Sequence, residues 1–234
     1  MTAYIPVEIK YIFKLERTIN MGEENNSSNV LKGSEEQKKV VPSPLKIGSG
    51  TGKNSSVDNT FKTRKLANSQ KVYEIPGTSV KGHFRSTFKK LEHLFDVPAE
   101  PIFGEERYAG WAHFSPLRAK TESVHLEWSA STSVDRFRKA AKNHSLRVEE
   151  FITLKEGSFL AGEVDGYIPD ETNKKEVFAL MLAMLATKRF GGDKSTGYGM
   201  GRIIIESCKI GDWVLKQSEI EEEILKHLGE GVSK

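Results

Sequence analysis

The stretch KRFGGDKSTGYGMGR, residues 188–202, contains five glycines, and Lys194, Ser195 and Thr196 lie among them. It follows a long apolar helix pattern and precedes RIIIESCKI, which is typical of a strand. A glycine loop that binds a nucleotide normally occurs in the opposite order, between a strand and the start of a helix. The stretch therefore has the composition of a phosphate site but not the order of a mononucleotide site.

Composition indicates a folded protein. The chain has 234 residues, of which 37% are hydrophobic, enough for a substantial core. We expect neither a signal peptide nor a membrane span, because no uninterrupted apolar run of the required length occurs. The single cysteine, Cys208, excludes an intrachain disulfide framework and favours a reducing compartment, so a cytoplasmic location is expected.

Charge is distributed unevenly along the chain, although its net value is only +3. Residues 61–90 carry eight lysines and arginines against one acid, Glu74. Residues 219–223 are the reverse, since four of the five are glutamates. A basic segment that shares its sequence with glycine turns can approach a polyanion closely, which favours a nucleic-acid partner.

Periodicity predicts the main elements. Residues 7–15 alternate apolar and mostly charged side chains, which indicates a half-buried strand. Residues 78–95 have apolar side chains at helical spacing, and Thr78 or Ser79 is expected to cap this helix. The N-terminus of such a helix attracts anions. A hairpin is predicted around Gly157, between residues 151 and 167.

The order of strands and helices predicts an α+β fold with an antiparallel sheet and helices on one face, such as a ferredoxin-like core. We expect one domain over residues 1–234. Residues 21–40 are polar and aperiodic and predict a flexible insertion, while residues 126–150 predict an excursion from the core.

Several familiar sites are disfavoured by the sequence. IGSGTGKNSS, residues 47–56, lacks the first glycine and the hydroxyl residue of a nucleotide-binding P-loop. The six histidines show no paired ligand spacing, and one cysteine cannot build a structural zinc site. Cys208 lies in a strand pattern, where a small buried side chain is more common than a nucleophile.

The sequence resembles the RAMP superfamily of CRISPR effector proteins, and within it the target-cleaving backbone subunits of type III complexes. The resemblance covers about residues 7–205 and rests on a series of motifs in order: PLKIGSG (44–50), VDN (57–59), YEIPGTSVKGHFRS (73–86), IFGEE (102–106), TSVDRFRKAAKNHSLRVEEF (132–151), EGSFLAGEV (156–164) and RFGGDKSTGYGMGRI (189–203). It implies a ferredoxin-like core with inserted thumb and lid segments.

In this family the glycine loop forms part of a cradle for the RNA backbone, which accounts for its position after a helix. Its glycines are expected to expose backbone N–H groups to phosphate. The residues expected to bind RNA are Lys46, Ser49, Gly77, Thr78, Ser79, Lys81, Arg85, Arg136, Arg138, Gly191, Gly192, Lys194, Ser195 and Thr196. Lys81 and Arg85 are four residues apart near the start of a helix, so both can face one phosphate track. Arg136 and Arg138 flank Phe137 in the region that the resemblance identifies as the thumb, although an ordinary surface hairpin is an open alternative.

Asp58 is the candidate catalytic and metal-binding residue. The resemblance implies that an aspartate in this segment, together with Mg²⁺ or Mn²⁺, promotes attack of a ribose 2′-hydroxyl on the adjacent phosphate of target RNA. One carboxylate can hold a hydrated cation or help to accept a proton. A turn aspartate is the alternative, since SVDN is also good turn chemistry. Asp135 is the next candidate acid.

The resemblance implies these partners: guide RNA (crRNA), single-stranded target RNA, further copies of the chain and other type III subunits, with no membrane. Three alternatives stay open at this point. The chain can be a non-cleaving structural RAMP subunit, an endoribonuclease that processes guide RNA, or a metabolic enzyme that uses the glycine loops for a nucleotide.

Overall fold

The structure, a computed structural model, describes residues 4–20, 38–50 and 57–229. The strands are β1 (Ile5–Asn20), β2 (Lys38–Pro42), β3 (Thr63–Lys65), β4 (Lys71–Ile75), β5 (His113–Phe114), β6 (Leu117–Ala119), β7 (Val124–Ser131), β8 (Val134–Asp135), β9 (Ala140–Ala141), β10 (Arg147–Leu154), β11 (Leu160–Ile168), β12 (Gly201–Ile210) and β13 (Trp213–Lys216). The α-helices are α1 (Gly77–Leu91), α2 (Glu100–Phe103), α3 (Lys174–Ala186) and α4 (Gln217–Gly229).

The main sheet is built around β1. Its strand order is β13-β12-β1-β11-β6-β4-β3, and β1 pairs antiparallel with both β11 and β12. Alternate side chains of β1 are buried, namely those of Val7, Ile9, Tyr11, Phe13 and Leu15. The strand predicted from the alternation is therefore confirmed, and α1 and α3 connect strands of this antiparallel sheet.

Helices cover one face of the sheet. In α1 the buried side chains are Val80, Phe84 and Phe88, as their helical spacing predicts. The ring of Phe84 lies 5.7 Å from that of Tyr11 in β1 and 5.7 Å from that of Phe190. Each fully buried phenylalanine contributes about 1.5–3 kcal/mol. This cluster therefore ties α1 to the sheet and to the start of the glycine loop.

The hairpin predicted around Gly157 is wrong. β10 pairs with β7 over residues 147–154, whereas β11 pairs with β1 over residues 160–168. Gly157, with φ of 75°, turns the chain from one sheet into the other. Alternation of apolar residues reports which face of a strand is buried but not which strand is its partner.

Residues 126–150 form most of a long antiparallel hairpin, β7 with β10, which is a separate two-stranded sheet. Its distal end contains the short pair β8 with β9. Side chains in residues 125–147 are largely exposed. We call this element the β7–β10 hairpin.

The predicted insertion at residues 21–40 is wrong at its C-terminal boundary. Residues 38–42 form β2, which pairs with the end of β1 through Glu16–Asn20. Valines in this strand support β pairing, a signal that the surrounding polar residues concealed. Residues 21–37 lie outside the described part of the chain.

Within residues 4–20, 38–50 and 57–229, no helix is both long enough and apolar enough to cross a membrane.

Candidate nucleic-acid interface

The glycine loop turns the chain from α3 back into β12, and an isolated bridge between Arg189 and Met200 closes its base. Positive φ angles occur at Gly191 (82°), Gly197 (86°) and Gly199 (67°). A Cβ atom at Gly199 would lie 1.7 Å from the carbonyl oxygen of Phe190. The conformation at Gly199 is therefore restricted to glycine.

Backbone N–H groups of the loop are used within the protein. Gly192 donates to the carbonyl oxygen of Lys46 at 3.0 Å, and Gly199 donates to that of Pro44 at 2.6 Å. These donors fix the loop against residues 44–46 and are not exposed, contrary to the expectation from sequence. The glycines thus shape the loop, and contact of Gly191 or Gly192 with RNA stays a prediction.

The outer turn of the loop is the part that faces solvent. Residues 194–196 form a 3₁₀ turn, in which Ser195 and Thr196 are exposed. The hydroxyl of Thr196 donates to the carbonyl oxygen of Asp193 at 2.8 Å and keeps its acceptor capacity. The hydroxyl groups of Ser195 and Thr196 are therefore open to solvent at the tip of the loop.

Lys46 lies at the centre of an ionic cluster. Its ammonium donates to Asp193 Oδ2 at 2.5 Å and to Glu149 Oε2 at 2.7 Å, and it lies 5.4 Å from the ring centroid of Tyr198. Burial lowers the pKa of Lys46, but the hydrogen bonds to Asp193 and Glu149 outweigh burial and raise the pKa above its ordinary value. The group is therefore a stable cation at neutral pH.

This ionic cluster joins three segments that are distant in sequence: the segment after β2 at Lys46, the start of β10 at Glu149, and the glycine loop at Asp193. Lys46 is only 8% exposed, so its ammonium is not presented to a ligand in solvent. The sequence prediction missed Glu149, Asp193 and Tyr198 as its partners. A lysine between Leu45 and Ile47, both buried, was the available signal.

The segment that carries Asp58 runs beside the start of β10. Asp58 is exposed, its N–H donates to the carbonyl oxygen of Val148 at 2.8 Å, and its Oδ2 accepts the N–H of Val148 at 2.7 Å. The N–H of Glu150 continues the pairing by donating to the carbonyl oxygen of Asn59 at 2.9 Å. Asp58 therefore lies beside the start of β10, one residue in register from Glu149.

A closed metal site does not occur among residues 4–20, 38–50 and 57–229, since no group of three or more potential ligands is found there. Asp58 keeps one carboxylate oxygen without a donor from the described residues. Mg²⁺ is often held by one or two carboxylates, with substrate phosphates and waters as its other ligands. The donor set therefore fits a cation held jointly by Asp58 and a phosphate, and does not fit an all-protein cage.

Ser49 is placed next to this segment. Its N–H donates to the carbonyl oxygen of Thr60 at 2.9 Å, and the two hydroxyls are 2.7 Å apart. A further backbone bond joins the N–H of Lys62 to the carbonyl oxygen of Ile47 at 2.8 Å. Residues 45–49 and 57–62 are therefore adjacent, which brings Ser49 close to the chain that carries Asp58.

Lys81 and Arg85 line a cleft of about 560 Å³ on the outside of α1. Across it lies the loop of residues 104–108, which contributes Arg107 and the 69% exposed Tyr108. Neither Lys81 nor Arg85 forms an ion pair with a described residue, although Glu105 and Glu106 are part of the lining. Sequence reasoning missed Arg107 and Tyr108, a cation next to an aromatic.

The start of α1 differs from the prediction that Thr78 or Ser79 caps it. Pro76 is the N-cap residue, and no side chain forms a capping hydrogen bond. Thr78 and Ser79 lie within the first turn, where the N–H of Ser79 donates to the carbonyl oxygen of Pro76 at 2.9 Å. Gly77 is required for packing, since a Cβ there would lie 2.3 Å from the carbonyl oxygen of Phe114.

Arg136 and Arg138 lie at the end of the β7–β10 hairpin, on either side of Phe137, which is 99% exposed. The carboxylate of Asp135 accepts the N–H groups of Phe137 at 2.9 Å and Arg138 at 3.1 Å. Asp135 therefore holds the turn. An exposed aromatic between two cations is suited to stacking on a base and contacting its flanking phosphates.

The predicted residues thus form three groups. Residues 46–49, Asp58 and the glycine loop meet beside the start of β10. Helix α1 is adjacent to the glycine loop because His83 lies 5.1 Å from Phe190, ring to ring. Arg136 and Arg138 are separate from both, at the far end of the hairpin. Cys208 is fully buried, which raises the pKa of its thiol to about 12 and confirms it as a core residue.

Comparison with known proteins supports the motifs. The model of the RAMP superfamily matches residues 40–200, most of the described chain. No individually curated protein matches the sequence significantly.

Two solved chains share the fold. One, from the cryo-EM structure of the type III-B Cmr-beta bound to cognate target RNA, is 17% identical with a TM-score of 0.53, and the match covers 92% of this chain but 61% of that chain. Another, from the apo state of the type III-B Cmr-beta, is 13% identical with a TM-score of 0.55, covering 85% and 96% of the two chains. At such identities the likeness establishes the fold, while the family match spans more than half of the sequence. The chain belongs to the RAMP superfamily.

Proposed function

We propose that this chain is a backbone subunit of a type III CRISPR ribonucleoprotein, which binds guide RNA in the cytoplasm and cleaves the bound target RNA. The RAMP superfamily match over residues 40–200 is the observation that carries the proposal. Support also comes from the type III-B Cmr-beta chains of the same fold, one of which is bound to cognate target RNA. The strand order β12-β1-β11-β6, with α1 and α3 as connections, supports a ferredoxin-like core.

Guide RNA is proposed to follow α1 and the tip of the glycine loop. Lys81 and Arg85 supply positive charge and form no ion pair with a described residue. Their side chains contact phosphates, which carry most of the affinity of a sequence-independent RNA-binding protein. Ser195 and Thr196 add hydroxyl groups, and Arg136, Phe137 and Arg138 separate the two strands at intervals. Base pairing between guide and target supplies the sequence specificity.

Target cleavage is proposed to occur at Asp58. The 2′-hydroxyl oxygen of the target attacks the adjacent phosphorus, and the bond from phosphorus to the 5′-oxygen breaks. The leaving 5′-oxygen takes a proton from water, so that a cyclic phosphate and a 5′-hydroxyl result. Asp58 accepts or orients the proton of the attacking hydroxyl, and no protein nucleophile is needed. The hydrogen bond from the Val148 N–H keeps the carboxylate in place at 2.7 Å.

Asp58, together with RNA phosphates, is also the residue proposed to hold Mg²⁺ or Mn²⁺, which would stabilise negative charge on the phosphate. A non-cleaving structural subunit is the second candidate function, favoured by the hydrogen bond from the Val148 N–H to Asp58, which gives that carboxylate a structural role. In that case Asp58 only pairs with Val148.

Identification of the bound RNA tests the assignment to a class. The protein is purified from cells that carry a CRISPR array, and the RNA that accompanies it is sequenced. Repeat-derived guides are the expected result. Saturable binding of a small nucleotide by RNA-free protein would instead support a metabolic enzyme.

Assembly should depend on RNA. A backbone subunit makes a heterologous head-to-tail contact that does not close on itself, so its particles grow by addition. We expect the mass measured by light scattering to rise in steps as guide RNAs of increasing length are added. A protein that stays monomeric with every guide length would contradict the filament.

Replacing both Lys81 and Arg85 with alanine should weaken RNA binding for every sequence. Loss of about two phosphate contacts reduces the slope of log K against log salt by about one to two. The measurement is a titration of labelled RNA at several salt concentrations, with Lys89→Ala and Lys90→Ala, exposed at the end of the same helix, as the control pair. Equal slopes for both pairs would show that Lys81 and Arg85 are ordinary solvated cations.

A further inference from the structure

A second basic cleft lies next to the segment that carries Asp58. Its volume is about 560 Å³, and its lining includes Ser49, Thr60, Lys62, Lys65, Lys71 and Glu150. It is formed where residues 57–62 meet β3 and β4, at the edge of the main sheet. None of the RNA contacts proposed above involves its three lysines.

The arrangement of the lysines in this cleft destabilises the sheet through charge repulsion. Lys65 and Lys71 are directly opposite each other in the antiparallel pair of β3 and β4. Like charges in that position destabilise a sheet. No described residue forms an ion pair with Lys62, Lys65 or Lys71. An external anion would relieve the repulsion that remains.

Glu150 offsets only part of the positive charge of the cleft, and none of the three lysines forms an ion pair with it. Its Oε2 accepts the backbone N–H of Phe61 at 2.8 Å, so the carboxylate serves to hold the segment. The ammonium of Lys71 lies 5.4 Å from the ring centroid of Tyr73, a contact that leaves its hydrogen-bond donors available. Three cations therefore surround one acid that is already engaged.

The position of the cleft relative to Asp58 indicates the ligand. Asp58 and Thr60 belong to the same short segment, and two residues of extended chain span about 7 Å. A single strand of RNA with one phosphate at Asp58 would place its next phosphates beside Lys62, Lys65 and Lys71. Long, flexible lysine side chains suit contact with a backbone independently of its sequence.

We propose that the cleft of Lys62, Lys65 and Lys71 binds the phosphate backbone of the target RNA strand next to the position that Asp58 contacts. This inference rests on the proposed function for the identity of the strand. It assigns target capture to the sheet edge at β3 and β4, and leaves guide binding to α1 and the glycine loop.

The test compares two triple variants. Lys62→Ala, Lys65→Ala and Lys71→Ala are combined in one protein, and Lys89→Ala, Lys90→Ala and Lys216→Ala are combined in the control. The control lysines are exposed, and their replacement removes the same number of positive charges. Lys216 lies in β13, at the opposite edge of the sheet. Thermal melts should show that the first variant is at least as stable as wild type, because repulsion between Lys65 and Lys71 is gone.

Each protein is loaded with guide RNA and titrated with a complementary labelled RNA. We expect the target affinity of the cleft variant to fall at least about tenfold, and its slope of log K against log salt to decrease by about two. Its affinity for guide RNA should stay within about twofold of wild type. Lys65→Glu alone should weaken target binding more than Lys65→Ala, which provides a second measurement if the triple variant folds poorly. The control variant should match wild type.

Three results would overturn the inference. The first is an equal fall of target affinity in both variants, and the second is a loss of guide binding in the cleft variant. The third is a failure of assembly while RNA binding persists, which would assign the cleft to contact with a neighbouring protein copy. An unguided 20-nucleotide RNA separates this inference from the proposed function. If wild type binds no guide but the cleft variant still binds the unguided RNA more weakly than the control, the site is supported and the proposed function is not.

Discussion

Replacing Lys46 with methionine should lower the free energy of unfolding by about 2–3 kcal/mol. Removing one partner of a buried ion pair costs about 3–5 kcal/mol, because the remaining charge is left without compensation. The side chain of Asp193 is 49% exposed and that of Glu149 is 23% exposed, so water screens part of this cost. Methionine keeps the packing between Leu45 and Ile47, which isolates the effect of charge.

Urea unfolding followed by circular dichroism measures this effect as a lower midpoint with an unchanged slope. A combined Lys46→Met, Glu149→Gln and Asp193→Asn variant is the matched control and should recover most of the stability, since no charge is then left unpaired. If Lys46 instead served as an RNA ligand, Lys46→Met would weaken RNA binding and leave the urea midpoint unchanged. That outcome would contradict the structural role.

The contribution of Lys46 should not vary with pH near neutrality. Its pKa is higher in the folded protein than in the unfolded chain. The stabilisation is therefore complete below the ordinary lysine pKa and is lost only as pH rises through the folded value. The stability difference between wild type and Lys46→Met should be constant between about pH 6 and pH 8.

Local patterns were sufficient for the elements but not for their partners. Alternation in residues 7–15 and helical spacing in residues 78–95 each report a buried face, and both elements occur where predicted. The partner of β10 was mistaken because alternation is the same whichever strand lies beside it. Pairing with β7 depends on the whole of residues 124–154 folding as one hairpin.

The candidate site shows the same division. The motif around Lys46 could be recognised from sequence, yet its two acidic partners lie 103 and 147 residues away, and no local spacing relates them. The loop glycines were read as exposed donors because composition does not show which N–H groups the fold itself uses. Burial and long-range hydrogen bonds decide both points.

Replacing Asp58 with alanine should reduce cleavage of target RNA by on the order of a hundredfold or more while guide binding and target capture persist. Binding is distributed over many cations, so the loss of one acid does not weaken it and removes a like charge from the path of the phosphates. Cleavage depends on a few groups at one phosphate. Assembled complexes should therefore retain intact target.

Asp58 also accepts the N–H of Val148, so alanine alone does not separate chemistry from structure. Asp58→Asn is the matched variant, because its amide oxygen can still accept that hydrogen bond while the negative charge is absent. We expect both variants to be equally slow in a gel assay of end-labelled target with Mg²⁺ or Mn²⁺. Asp135→Ala disturbs only the turn at the end of the β7–β10 hairpin and should cleave target RNA at the wild-type rate.

Each outcome assigns a different role to Asp58. If Asp58→Asn cleaves at the wild-type rate while Asp58→Ala does not, the carboxylate acts only by holding β10 through Val148. If Asp58→Ala is as active as wild type, the acid lies elsewhere, and loss of activity in Asp135→Ala would then identify Asp135. If the wild-type complex captures target but leaves it uncut with both cations, the chain is a structural member of the superfamily. Slow cleavage in both Asp58 variants, with unchanged target capture, is the result that places the reacting phosphate at Asp58. The loss of the negative charge is the one change that the two variants share.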